Sequence, residues 1–272
     1  MLYNAQAYER PASIEEARQL LQRADLKTLA LYDDLSTVDP DRRAQVEAAV
    51  DLGGLGLSGI DVEGTSLRIG ATASLQTIVD ELPDAASGLL ATCAHQTAGW
   101  HVRRAATIGG LLTGGSISAP ARLALDALDA QIEITGQDEP ILLTNLVLEN
   151  LAGEIILAVI LDLPKGAVGT AYEQVGRTPK DLPIVNAAAV VRSTGGNSAS
   201  AQISVGGVLT DNLLRLTLDR AELTAVDGLI DDLGGPLLDD HLGSAEYRRE
   251  MARVLSHRVL TDALSQVGMS AS

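Results

Sequence analysis

The chain has 272 residues, 46% of them hydrophobic, and 20 Lys and Arg stand against 36 Asp and Glu for a net charge of −16. So acidic a surface argues against a binder of nucleic-acid phosphates. Phe is absent and the aromatics amount to five Tyr and one Trp, so the core has to be aliphatic and offers no platform for stacking bases.

From the N-terminus, Ser13-Ile-Glu-Glu16 reads as a capping box, in which the serine oxygen and the glutamate carboxylate each satisfy a free backbone N–H at a helix start. Ile14, Ala17, Leu20, Leu21 and Ala24 give that helix one apolar face. Leu26 to Leu31 and Ser66 to Ile69 read as strands, and Ser74 opens a second helix with Leu75, Ile78, Val79 and Leu82 on its apolar side. Ala130 to Thr135 and Glu154 to Leu163 also have strand character. Pro164, Lys165 and Gly166 end the latter, and a domain boundary is expected there.

Beyond it, Tyr172 to Val175, Ile184 to Arg192 and Ala201 to Val205 read as three antiparallel strands backed by helices. The last helix begins at Ser244 and is expected to turn Tyr247, Met251, Val254, Leu255, Val259 and Leu264 inward, with Gly268 ending it. Arg248, Arg249, Arg253 and Arg258 fall mostly on its other side, as a solvated face.

Cys93 is the sole cysteine, which excludes an intrachain disulfide, a Cys-ligated cluster and a zinc ribbon, and the thiol suits a reducing cytoplasm. The opening MLYNAQAYERP lacks a basic region followed by an apolar one, and the longest apolar run, Ile155 to Leu161, is too short to span a membrane. A soluble, unprocessed cytoplasmic protein is the expectation.

Gly54-Leu-Gly56-Leu-Ser-Gly59 matches G-x-G-x-x-G, yet strand and turn residues follow it where a phosphate-binding helix should start. It reads as a turn. Asp239-Asp240-His241 lacks a second cluster with ligand spacing, and Cys93, His95 and His101 lack an orienting third group, so no metal ligand and no catalytic nucleophile or base is assigned. The informative stretch is Val102 to Ser116, with a Thr and two paired glycines in one turn-rich segment. Glycines let backbone approach a ligand and turn N–H groups onto an anion such as a diphosphate, although a tight structural turn explains them equally well.

Arg103, Ala106-Thr-Ile-Gly-Gly110 and Leu128-Asp-Ala-Gln-Ile-Glu-Ile134 resemble, in order and spacing, the FAD-binding medium subunit of molybdenum hydroxylases, the family of xanthine dehydrogenase and aerobic carbon monoxide dehydrogenase. Tyr8-Glu-Arg-Pro11, Leu67-Arg-Ile-Gly-Ala71, Tyr172-Glu-Gln-Val175 with Arg177, and Glu246-Tyr-Arg248 extend the resemblance over nearly the whole chain. It implies a vanillyl-alcohol-oxidase or PCMH-type FAD domain of two α/β subdomains over residues 1–165. A small C-terminal α+β domain with a three-stranded antiparallel sheet would occupy 168–268. It implies FAD as cofactor, held by Thr107, Ile108, Gly109, Gly110 and Ser116 with support from Arg103, Ala30 and Asp34. The implied partners are a molybdopterin-binding large subunit, a [2Fe–2S] small subunit and a second medium subunit within the complex.

The sequence departs from that pattern at the family's first diphosphate loop, which aligns with Ala30-Leu-Tyr-Asp-Asp-Leu35. Leu31 and Tyr32 stand for its glycines and Asp33 for its threonine. An Asp facing a diphosphate at about 4 Å is repulsive by ~1–4 kcal/mol, depending on the local dielectric. Leu111 replaces the asparagine after the second glycine pair, and Ser116 to Pro120 lacks the family's acid. Two readings stay open: a subunit whose second loop still holds FAD and passes electrons, and a flavin-free structural subunit of the same complex. Whether Tyr32 fills the site is a question for the structure.

Overall fold

The computed structural model describes residues 6–23, 25–33, 45–82, 84–114, 116–151, 153–163, 166–178, 181–195, 198–210 and 212–270. Ala24, Asp34, Leu35, Pro164 and Lys165 lie outside them. The chain divides into two compact units. One gathers residues 1–81, 100–116 and 129–162, and the other gathers 82–99, 117–128 and 163–272.

Among its described residues the first unit holds two sheets. Strands β1 (Ala7–Glu9), β2 (Thr28–Leu31) and β3 (Ala48–Asp51) form a parallel sheet in the order β1-β3-β2. Helix α1 (Ile14–Leu21) makes the crossover from β1 to β2. Ser13 caps it by accepting the Glu16 N–H at 3.1 Å, while the Glu16 carboxylate reaches back to the N–H of Ala12 at 2.7 Å. The box therefore closes one residue earlier than its ideal form. Ala17 is the fully buried side chain of that helix.

Strands β4 (Ile60–Glu63), β5 (Ser66–Gly70), β6 (Gln131–Ile134), β7 (Ile141–Leu142) and β8 (Ile156–Asp162) make an antiparallel sheet in the order β4-β5-β8-β6-β7. The turn-rich Gly54 to Gly59 stretch leads directly into β4. Helix α2 (Leu75–Glu81) begins at Ser74, whose Oγ accepts the N–H of Thr77 at 3.0 Å, and it buries Leu75 and Ile78.

In the second unit, α3 (Asp84–Thr97) and α6 (Pro120–Ala127) join a four-stranded antiparallel sheet. Its strands are β9 (Val168–Val175), β10 (Val185–Gly195), β11 (Ser198–Gly206) and β12 (Leu214–Leu218), ordered β12-β11-β10-β9. The three-stranded expectation is corrected by β12, whose Leu214-Arg-Leu-Thr-Leu218 alternates buried and more exposed positions as an edge strand does. Helices α7 (Leu223–Asp231) and α8 (Ala245–Gln266) complete this unit.

Ser244 caps α8 by accepting the Tyr247 N–H. At the other end Gly268, at φ +73°, lets the N–H of Met269 reach back to the carbonyl of Leu264. The buried face of α8 is rotated from the expected one. Leu255, Val259 and Leu264 are buried as expected, but Tyr247 is 39% exposed and Arg248 is buried. Small Ala252 and Ala263 are fully buried in one aliphatic cluster with Ala187, Ala189 and Ile203 of the sheet.

Candidate functional site

The paired glycines open helix α5 (Ile108–Gly114), preceded by α4 (Trp100–Ala105), in the first unit. Thr107 fixes the turn. It pairs with Ser74 as an isolated bridge, its Oγ1 accepts the N–H of Gly110 at 3.1 Å, and its carbonyl accepts that of Leu111 at 2.9 Å. The segment after β5 holds the other side, where Ala73 accepts the N–H of Ile108 at 3.0 Å and Ala71 accepts that of Gly109 at 2.8 Å. The Leu67-Arg-Ile-Gly-Ala71 motif thus ends in one of the two carbonyls that clamp the glycine turn, and Ala73 just beyond it supplies the other. The sequence marked the motif, but not this duty.

Facing the turn is the end of β2. Tyr32 is 4% exposed, and its hydroxyl accepts the N–H of Ile156 at 2.7 Å. Burial pushes that hydroxyl well above the ordinary tyrosine range. A Cβ added to Gly109 would collide with the Tyr32 ring and lie 2.7 Å from the Ala71 carbonyl oxygen. One added to Gly110 would collide with the Asp33 carboxylate. Gly109 is therefore required by close approach of backbone and a buried ring, while at Gly110 the neighbour is the movable end of the Asp33 side chain; what approaches both is the chain itself.

Thr107, Ile108, Gly109 and Gly110 lie together in this turn, and Ala30 is on β2 two residues before Tyr32. Ser116 is exposed beyond the end of α5, while Asp34 is outside the described residues. Arg103 is 5% exposed and gives its Nε to Gln76 Oε1 at 3.0 Å, tying α4 to α2. Below Tyr32 lies a cavity of about 200 Å³ lined by Thr28, Ala30, Tyr32, Thr113, Gly153 and Glu154, among others. A wider depression of about 480 Å³ carries the carboxylates of Glu15, Glu133, Asp138 and Glu139 beside Arg18.

Arg18 is engaged with Glu154 through two hydrogen bonds, at 2.7 and 2.9 Å. That pairing holds the Glu154 carboxyl below its ordinary range, helped by the Thr135 hydroxyl. Among the described residues no group of three or more His, Cys, Asp and Glu could hold a metal ion. No described helix is long and apolar enough to cross a membrane.

A small parallel sheet, an antiparallel sheet and a paired-glycine turn between them define a domain of the kind that holds a dinucleotide cofactor between two loops. Residues 3–161 match the FAD binding domain in molybdopterin dehydrogenase, and the chain belongs to that family. Residues 170–263 match the CO dehydrogenase flavoprotein C-terminal domain. The carbon monoxide dehydrogenase medium chain of Afipia carboxidovorans is 28% identical over 94% of this chain and 96% of its own. Reconstituted CO dehydrogenase from Oligotropha carboxidovorans has a chain 26% identical with a TM-score of 0.83, covering 98% of this chain and 100% of that one. Quinoline 2-oxidoreductase from Pseudomonas putida 86, at 22% identity and a TM-score of 0.81 over 98% of this chain and 99% of that one, shares the fold.

The residues at the turn do not fit the diphosphate of FAD. Tyr32 and Asp33 stand over both glycines, and the N–H groups of residues 108 to 111 are already bonded within the chain. The cavity of about 200 Å³ is also smaller than the roughly 300–1,000 Å³ that encloses a drug-sized ligand, and FAD is larger than that. The wider depression is lined by acids that repel a diphosphate.

Proposed function

We propose that the chain is the medium subunit of a molybdenum-hydroxylase-type oxidoreductase complex. It stands beside a molybdopterin-binding large subunit and a [2Fe–2S] small subunit, with two medium subunits paired, in the cytoplasm. The supporting observation is coverage: the likeness runs over 98% of this chain and 100% of a CO dehydrogenase chain, so surfaces for such partners have been available to inherit. The proposal keeps residues 1–165 as the FAD-type domain and 168–268 as the C-terminal domain. Organic substrate chemistry belongs to another chain of the complex, and no acid or base is assigned to this one.

Retained FAD would meet Thr107, Ile108, Gly109, Gly110 and Ser116, with Arg103, Ala30 and Asp34 in support, and the chain would then pass electrons from the clusters to an acceptor. A second reading, a flavin-free structural subunit, is favoured by the Tyr32 ring lying on Gly109. Coexpression with its neighbours tests the subunit assignment. The chain should co-purify with molybdenum and iron–sulfur proteins in fixed proportion, and a chain that remains alone in their presence overturns it.

A further inference from the structure

We propose that Tyr32 and Asp33 form a built-in plug that takes the place of the cofactor's diphosphate, so that the folded chain excludes FAD until these side chains are removed. The inference rests on the medium-subunit reading for its choice of cofactor, and it names the residues that decide whether the seat can be used.

Three observations on separate atoms converge. The first is steric. Bare glycine backbone is where a diphosphate could come within hydrogen-bonding distance, and at Gly109 and Gly110 that space holds the Tyr32 ring and the Asp33 carboxylate.

The second is the supply of donors. An anion at a helix start is held by backbone N–H groups that have no partner in the helix. Ile108, Gly109, Gly110 and Leu111 give theirs to Ala73, Ala71 and Thr107 at 2.8–3.1 Å. Those bonds do not involve Tyr32 or Asp33, so what a phosphate meets at this turn is set by the space over the glycines and the side chains beside it, and Tyr32 and Asp33 occupy both.

The third is that the ring is fastened. Tyr32 is 4% exposed, and its hydroxyl supplies the acceptor for the Ile156 N–H at the start of β8. Swinging the ring out would expose it and leave a buried N–H without a partner. The Asp33 carboxylate adds charge of the same sign as the diphosphate. Arg103, the one cation among the candidate contacts, has its Nε on Gln76.

The test titrates FAD into the full-length chain, alone and within the purified complex, and measures flavin absorption and FAD released on denaturation. The proteins compared are the wild type, Asp33→Thr, Tyr32→Gly and the double variant. The wild type is expected to be colourless. Asp33→Thr should bind FAD at least about tenfold more tightly than the wild type, and the double variant should carry FAD in equal proportion to protein.

Stoichiometric FAD in the wild-type complex overturns the plug and leaves the subunit assignment standing. So does a double variant that is folded by circular dichroism and still takes up no flavin. Should loss of the ring prevent folding, the wild type and Asp33→Thr decide the matter, and equal affinity in those two overturns the plug. Failure to join molybdenum and iron–sulfur subunits, with FAD uptake following the variants as expected, rejects the subunit assignment alone.

Discussion

Arg248 lies 2% exposed in helix α8 and meets the carboxylate of Asp240 at 2.6 Å. The same guanidinium donates to the carbonyls of Ile184 at 2.5 Å, Gly207 at 2.8 Å and Gly243 at 3.1 Å. A planar fork of donors serves several directions at once, which a lysine ammonium on a flexible stem does not match. Arg248→Met leaves buried carbonyls without donors, and we expect a loss of about 2–5 kcal/mol in urea unfolding. Arg248→Lys should recover less than half of that loss. Full recovery by lysine would show that charge, and not the fork, is what the site needs.

That arginine also marks where sequence reading stops. Capping is local chemistry, so Ser13, Ser74 and Ser244 announced the starts of three helices that the structure contains. Short apolar and β-branched runs bounded by turn residues mark seven of the described strands, β2, β5, β6, β8, β9, β10 and β11. Periodicity counts apolar residues and so misplaces the inward face of α8, whereas Arg248 is buried for the carbonyls of loop residues far from it in sequence. Likewise Tyr32 stood out as a substitution in a glycine loop, while its hold on Ile156, 124 residues away, is a tertiary fact. Helices α3 and α6 belong by packing to the second unit, which no local pattern records.

Tyr32→Phe separates the two parts played by that side chain. The ring stays on Gly109, but the Ile156 N–H loses its acceptor at a buried position. We expect a destabilisation of ~1–3 kcal/mol by denaturant titration, with FAD still excluded. Unchanged stability would mean that another acceptor reaches Ile156. Flavin uptake by this variant would show that the hydroxyl, and not the ring, blocks the seat.

The Arg18 and Glu154 pair makes part of the stability of the first unit dependent on pH. Hydrogen bonding to Arg18 is the chief cause that lowers the Glu154 pKa from its ordinary 4.5. The folded value lies below the unfolded one, so this contribution is complete above pH 4.5 and is lost as pH falls through the depressed folded value. Glu154→Gln should lower stability at neutral pH and flatten the loss on acidification. Parallel curves of unfolding midpoint against pH for the two proteins would remove Glu154 from the acid response.

The second unit should not fold from its C-terminal sequence alone. Residues 163–272 retain the four-stranded sheet and α8, but they lack α3 and α6, and α6 packs on β10 and β11. Cutting there removes the Ser118 carbonyl from Asn186, which it meets at 3.0 Å, and the Asp126 carbonyl from Arg215, which it meets at 2.7 Å. It also removes the Asp126 carboxylate from Ser204. Asn186 and Ser204 are both fully buried in the whole chain, and each buried polar group left without a partner costs ~1–3 kcal/mol. With domain stabilities of about 5–15 kcal/mol, losing these bonds together with the apolar cover of α6 takes most of the margin. The fragment is therefore expected to unfold broadly, or to bind a hydrophobic dye without denaturant. Adding residues 82–99 and 117–128 on the same polypeptide, joined by short linkers, should restore a sharp transition. A fragment of 163–272 that melts as cooperatively as the full chain would show that the sheet and α8 suffice, and that α3 and α6 only rest upon them.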